Sequence, residues 1–186
     1  MNLLLLFDIP FDTYMIGGQW LDGLLGPAVV AMAIPLYNHR QIIKRYLIPI
    51  LFSVIVGCLT ALLSGYILAK GFGLDRRLLY TLLPKSVTTP VAIDLAKLAG
   101  GIPSLTALFV IVAGLIGAVF GPHFMKWCKI THYLGKGVGF GSASHAIGTS
   151  KALEIGEKEG TVSLVAMTLC AIFTSIFVPF LIKFFH

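Results

Sequence analysis

The chain of 186 residues is 57% hydrophobic and only 12% charged, with a mean hydropathy of +0.92. Soluble domains carry about 25% charged residues, so this composition excludes an ordinary soluble fold and points to an integral membrane protein. The net charge of +6 comes from short basic clusters beside apolar runs, the juxtamembrane pattern that sets topology and meets anionic lipid; no nucleic-acid motif accompanies it.

In chain order, residues 1–7 are apolar but too short to span and lack the basic start of a signal peptide; they read as the tail of a helix. Residues 8–22 mix Asp8, Asp12 and Asp22 with Tyr14, Trp20 and a Gly17-Gly18 pair, the composition of an interfacial loop. Residues 24–37 form a short apolar piece broken by Pro27 and Pro35. A basic bridge with Arg40, Lys44 and Arg45 leads to a full span over 47–68, whose Gly57 and Gly65 permit close helix approach in lipid. After a loop in which Asp75 is a candidate helix cap, residues 78–98 form an apolar segment interrupted between Pro84 and Pro90. Residues 99–103 make a turn. Ser104 starts a span over 105–120, which Gly121-Pro122 is expected to end. A second basic bridge, with Lys126, Lys129 and Lys136, leads to a second interrupted segment over 138–155. A polar turn follows, and a last span runs over 161–185.

The predicted fold is therefore an all-α integral membrane protein, a single polytopic domain over 1–186 whose length allows roughly five to seven crossings. An internal repeat is visible. At an offset of 56, Ser86, Thr88, Ala96 and Gly100 meet Ser142, Ser144, Ala152 and Gly156. One inserted residue later, Thr106, Phe120 and Pro122 meet Ser163, Phe177 and Pro179. Any two membrane helices share such vocabulary, but here break, turn and span recur in one order. The repeat units are about 78–122 and 138–184, with a weaker third copy over 24–69.

The chemistry concentrates at the two interruptions. Lipid offers no water to satisfy backbone groups, so a broken helix survives there only where it lines protein or a cavity. Pro84 and Pro90 disturb the helix before them, and the residue before a proline is pushed toward extended geometry, so Thr89 is expected to leave the helix. Gly137, Gly139 and Gly141 each weaken a helix by about 1 kcal/mol. A break puts a helix N-terminus, with free N–H groups, at mid-depth, where it suits an anion; paired broken helices are an architecture of secondary transporters. A deep Lys85 costs at least about 2.5 kcal/mol and is satisfied by a carboxylate; the alternative is a Lys85 that snorkels toward Arg76 and Arg77. His145 is either a substrate donor and proton carrier or a structural histidine bonded to nearby backbone. Asp94 is a candidate proton acceptor, although with Lys97 it reads better as the polar end of a surface helix. Glu154, Glu157 and Glu159 read as a solvated turn. Three widely spaced cysteines, Cys58, Cys128 and Cys170, give neither a disulfide framework nor a zinc pattern. No catalytic motif is present, so the chain reads as a non-enzyme.

The runs Leu24-Leu25-Gly26-Pro27-Ala28-Val29-Val30-Ala31, Leu83-Pro84-Lys85-Ser86-Val87-Thr88-Thr89-Pro90-Val91-Ala92, Gly100-Gly101-Ile102-Pro103, Gly117-Ala118-Val119-Phe120-Gly121 and Gly141-Ser142-Ala143-Ser144-His145-Ala146-Ile147-Gly148-Thr149 resemble the LrgB/CidB family of bacterial membrane proteins, nearest its Gram-negative branch. The resemblance covers roughly residues 20 to 184. It implies a multi-pass protein of the bacterial cytoplasmic (inner) membrane, with further helices before the first residue seen here. It implies a holin- or antiholin-like role in murein hydrolase control, a likeness to the plastid glycolate/glycerate translocator, and a small LrgA/CidA-type membrane protein as partner. It implies no metal or organic cofactor. Two functions follow as expectations. One is alternating-access transport of small monocarboxylates of the glycolate, glycerate and pyruvate class, with Lys85, Ser86, Thr88, Thr89, Pro90, Ser142, Ser144, His145 and Thr149 as the binding set. The other is a holin-like homo-oligomer that modulates permeability and autolysis. Membrane orientation, and whether the repeats are inverted or parallel, stay open at this level.

Overall fold

The computed structural model describes residues 33–184, with isolated positions between 17 and 30. The readings made for residues 1–7, and for most of 8–22 and of 24–37, lie outside the described residues. The chain divides into two units, residues 1–38 and 39–186. The first contains the short helix α1 (Ala33–Asn38). The second is built from α2 (Arg40–Arg45), α3 (Leu47–Gly71), α4 (Arg76–Leu82), α5 (Thr89–Ala99), α6 (Pro103–Trp127), α7 (Tyr133–Ile155) and α8 (Glu157–Phe184). Among the described residues there is no strand.

Three segments, Leu47–Gly71, Pro103–Trp127 and Glu157–Lys183, are long and apolar enough to cross a membrane. At 1.5 Å per residue, 25 residues reach about 37 Å, more than the roughly 30 Å of hydrocarbon in a bilayer. Their outward faces expose Ile48, Phe52 and Ile67 on α3, Leu115, Ile116 and Phe120 on α6, and Ile172, Ile176 and Phe180 on α8. Apolar area on this scale is stable against lipid rather than water, and the protein is a membrane protein.

Helix α7 differs from these three. It buries Ser142, Ser144, His145 and Thr149, and it packs against α6, α8 and α3. A helix this polar is stable in lipid only when other helices sheathe it. Glycines make the sheath close. On α6, Gly114, Gly117 and Gly121 recur at spacings of three and four and so share a face. A Cβ added at Gly117 would collide with Ser144 Oγ. One at Gly114 would come 2.7 Å from His145 Cε1, and one at Gly121 would come 2.7 Å from the Phe140 ring. Gly137 and Gly141 give α7 the same access to α8, where a Cβ would meet Val162 and the Ser163 carbonyl oxygen respectively. Behind them lies a core of Ile50, Val54 and Cys58 from α3, Val87, Ala92 and Val110, and Val162, Ala166 and Cys170 from α8.

Several expectations are corrected. Gly121-Pro122 does not end its helix, which continues to Trp127; proline removes one ladder bond, and the missing Cβ of Gly121 is used by Phe140. Gly137, Gly139 and Gly141 do not break α7, because tertiary contact outweighs their intrinsic penalty. The non-helical residue is instead His145, at φ 41 and ψ −133. Thr89 does not leave the helix but opens α5, and the extended residue is Thr88, at φ −61 and ψ 146. Two spans begin before the residues expected to start them, at Pro103 rather than Ser104 and at Glu157 rather than Thr161.

Candidate functional site

The site begins with a cap. Asp75 Oδ1 accepts from the Leu78 amide at 2.7 Å and starts α4, the role its sequence position suggested. Helix α4 ends at Leu82, two residues before Pro84. A compact turn follows, in which the Lys85 amide donates to the Leu82 carbonyl at 3.2 Å and the Val87 amide to the Pro84 carbonyl at 3.3 Å. Pro90 then sits in the first turn of α5, where its missing N–H has no helical partner to lose. Thr88 precedes this helix without a side-chain capping bond.

The turn is anchored by burial of Val87 in the core. Lys85 reaches α3, where its Nζ donates to the Ala61 carbonyl at 3.2 Å. Gly65 opens the way, since a Cβ there would stand 2.8 Å from Nζ. Ala61 is two residues from the midpoint of α3. Lys85 therefore meets α3 near its mid-length. Among the described residues no carboxylate pairs with it.

Lys85 and Ser144 line one cavity of about 400 Å³, whose other walls include Phe109, Ala113, Ile116 and Gly117. Ser142 lines a second cavity, of about 450 Å³, between α3 and α7, together with Ser53 and Gly57. The structure thus brings Lys85 and Ser144 together and puts Ser142 on a neighbouring wall. Ser86, Thr88 and Thr89 are half-buried and Pro90 is exposed; none of the four lines either cavity.

His145 is buried, with Nε2 2.8 Å from the Val110 carbonyl oxygen. A carbonyl only accepts, so Nε2 carries the proton. The ring fits the notch at Gly114. This geometry matches the structural alternative, a histidine bonded to backbone, although the partner lies on α6 rather than nearby in the chain. Thr149 donates to the His145 carbonyl at 2.8 Å and lies 2.9 Å from Ser163 Oγ, which fastens α7 to α8. Asp94 and Lys97 are exposed and pair with each other at 3.4 Å, the surface end of a helix. Glu154 pairs with Lys151. Among the described residues no cluster of His, Cys, Asp and Glu could hold a metal ion.

Ala61, Gly65, Val110, Gly114 and Gly117 hold the site yet were not singled out for it from sequence. The glycine spacing on α6 was a usable signal. The two carbonyl oxygens were not, because every residue has one.

The chain matches the LrgB-like family over residues 1–184. It is 51% identical over 183 residues to the uncharacterised protein YxaC of Bacillus subtilis, covering 98% of this chain and 80% of that protein. It is 40% identical to an uncharacterised protein of Haemophilus influenzae, covering 99% of this chain and 80% of that one. It is 37% identical to the holin-like protein CidB of Staphylococcus aureus strain N315, again covering 99% and 80%. No solved structure matches the chain.

Proposed function

This chain belongs to the LrgB-like family, and on that premise we propose that it is a holin-like membrane protein that modulates the permeability of the bacterial cytoplasmic membrane. The observation that carries this reading is the 37% identity, along nearly the whole chain, to proteins named holin-like CidB. The reading gives it homo-oligomers and a small LrgA/CidA-type membrane partner, and no reaction to catalyse. The wide apolar faces of α3, α6 and α8 suit contact with lipid and with further copies. The test is release of trapped dextran from proteoliposomes, with native mass spectrometry of the same preparation with and without the partner. Oligomers that release large solutes support the reading; a monomer that leaves dextran inside overturns it.

One observation favours a second reading, a carrier of small monocarboxylates. It is Lys85, which has no carboxylate partner among the described residues, reaches the mid-length of α3 and shares a cavity with Ser144. A half-buried ammonium without a carboxylate suits an anionic guest, and about 400 Å³ is ample for a molecule of pyruvate size. The repeat supports this reading too. At the offset of 56, Thr88 and Thr89 meet Ser144 and His145, and α5 starts at Thr89 while α7 departs from helical geometry at His145. In this reading the two departures are the interruptions of paired repeats, and alternating access operates between them. Uptake of labelled pyruvate, glycolate and glycerate into proteoliposomes tests it, with Lys85→Ala and Thr88→Ala as variants. Saturable uptake lost in Lys85→Ala supports the carrier; unchanged flux in both variants removes the site.

A further inference from the structure

Cys58 of α3 and Cys170 of α8 lie 112 residues apart in sequence and are both about 1% exposed. Their sulfurs are 2.8 Å apart. A disulfide bond is about 2.05 Å long, so roughly 0.8 Å of approach separates the two thiols from a covalent bridge. The rest of the surroundings hold both sulfurs in one place. Cys58 Sγ faces the Cys170 carbonyl oxygen at 3.8 Å. Cys170 Sγ faces the Ser142 carbonyl oxygen at 3.6 Å and Thr174 Oγ1 at 3.9 Å. The Cys58 thiol donates to Cys170 Sγ across that gap, and nothing in the functional readings above uses either thiol.

The pair sits directly behind a cavity wall. Gly57, the neighbour of Cys58, and Ser142, whose carbonyl faces Cys170, both line the 450 Å³ space between α3 and α7. Cys128, by contrast, is exposed and far along the chain from both.

We propose that Cys58 and Cys170 form an oxidisable dithiol, converted by membrane-soluble hydroperoxides into a disulfide that ties α3 to α8. In the first step one thiolate attacks the peroxide O–O bond, giving a sulfenic acid and releasing the alcohol with the thiol's proton. In the second the other thiol displaces the sulfenic hydroxyl as water, forming the S–S bond. The sum is two thiols and one hydroperoxide going to one disulfide, one alcohol and one water; the sulfurs lose two electrons and the peroxide gains them. The consequence is mechanical. Helix α3 carries Gly57, Ala61 and Gly65, the positions that meet Ser142 and Lys85. A bridge to α8 fixes that helix against the far side of α7 and stops the two from moving apart.

The test uses the full chain in nanodiscs, native and with Cys128→Ser, which leaves just the two thiols. After cumene hydroperoxide, the protein is denatured, alkylated with a maleimide and weighed intact. The expected result for Cys128→Ser is no alkylation, a mass two hydrogens below the reduced chain, a peptide joining residues 58 and 170, and full recovery of both thiols with a reductant. Adding Cys58→Ala or Cys170→Ala must leave the remaining cysteine without an intramolecular bridge, whatever the fold of the variant. The thermal midpoint should rise on oxidation in Cys128→Ser and stay put in the variants. Two alkylated thiols after oxidant, or a sulfinic acid on one cysteine with the other free, overturns the proposal.

Discussion

Ser144 of α7 occupies the space that a side chain on Gly117 of α6 would fill: a Cβ at residue 117 would collide with the serine Oγ. The contact is what allows a polar helix to lie flush against an apolar one, and it sets one wall of the Lys85 cavity. Gly117→Val should therefore force α6 and α7 apart, with a loss of about 1–3 kcal/mol from overpacking. Gly71→Ala, where nothing lies within 4 Å, is the control and should be neutral. Thermal midpoints in detergent, followed by size-exclusion profile, check both.

The hydroxyls of Thr149 and Ser163 are both fully buried and 2.9 Å apart. Thr149→Val strands the Ser163 hydroxyl, which should cost about 1–3 kcal/mol. Ser163→Ala alone should be milder, because Thr149 keeps its bond to the His145 carbonyl. The double variant should fall short of the sum of the two singles, as contacting residues do. A double-mutant cycle on unfolding free energies in mixed micelles measures the shortfall.

Lys85→Met replaces a half-buried ammonium by an apolar chain of similar length. In the absence of anions the variant should be as stable as the parent or more so, since removing an uncompensated charge from lipid is favourable. In the presence of millimolar pyruvate the parent should gain thermal stability by binding linkage, and the variant should not. A gain of equal size in both chains would detach the anion from this lysine.

Asp75 caps α4 through the Leu78 amide and lies outside the spanning segments. Asp75→Ala should destabilise the start of α4 by about 1 kcal/mol and loosen the connection between α3 and α4. Limited proteolysis should then cut faster between Phe72 and Arg77, while Asp75→Asn, which retains an acceptor, should restore much of the protection.

Much of this protein is legible in its sequence because lipid is a demanding solvent. The long apolar runs that become α3, α6 and α8 fix the membrane class and the helical fold, since only closed hydrogen-bonding survives in hydrocarbon. Local rules also located the Asp75 cap and the surface position of Asp94 and Lys97 at a helix end. These depend on neighbours a few residues apart, and the sequence states those neighbours directly.

Tertiary structure decided the remainder. Gly137, Gly139 and Gly141 carry a local penalty as helix residues, yet they stay helical because α8 and Met125 of α6 pack against the bare backbone. The departure falls at His145, where the ring reaches the Val110 carbonyl on another helix. Lys85 was recognisable as a costly charge, but its placement followed from Gly65 and Ala61 on α3. Composition speaks for how a segment meets its solvent. Which backbone oxygen or missing Cβ lies opposite a given side chain is set by how helices far apart in the chain come to rest against one another, and that information exists only in three dimensions.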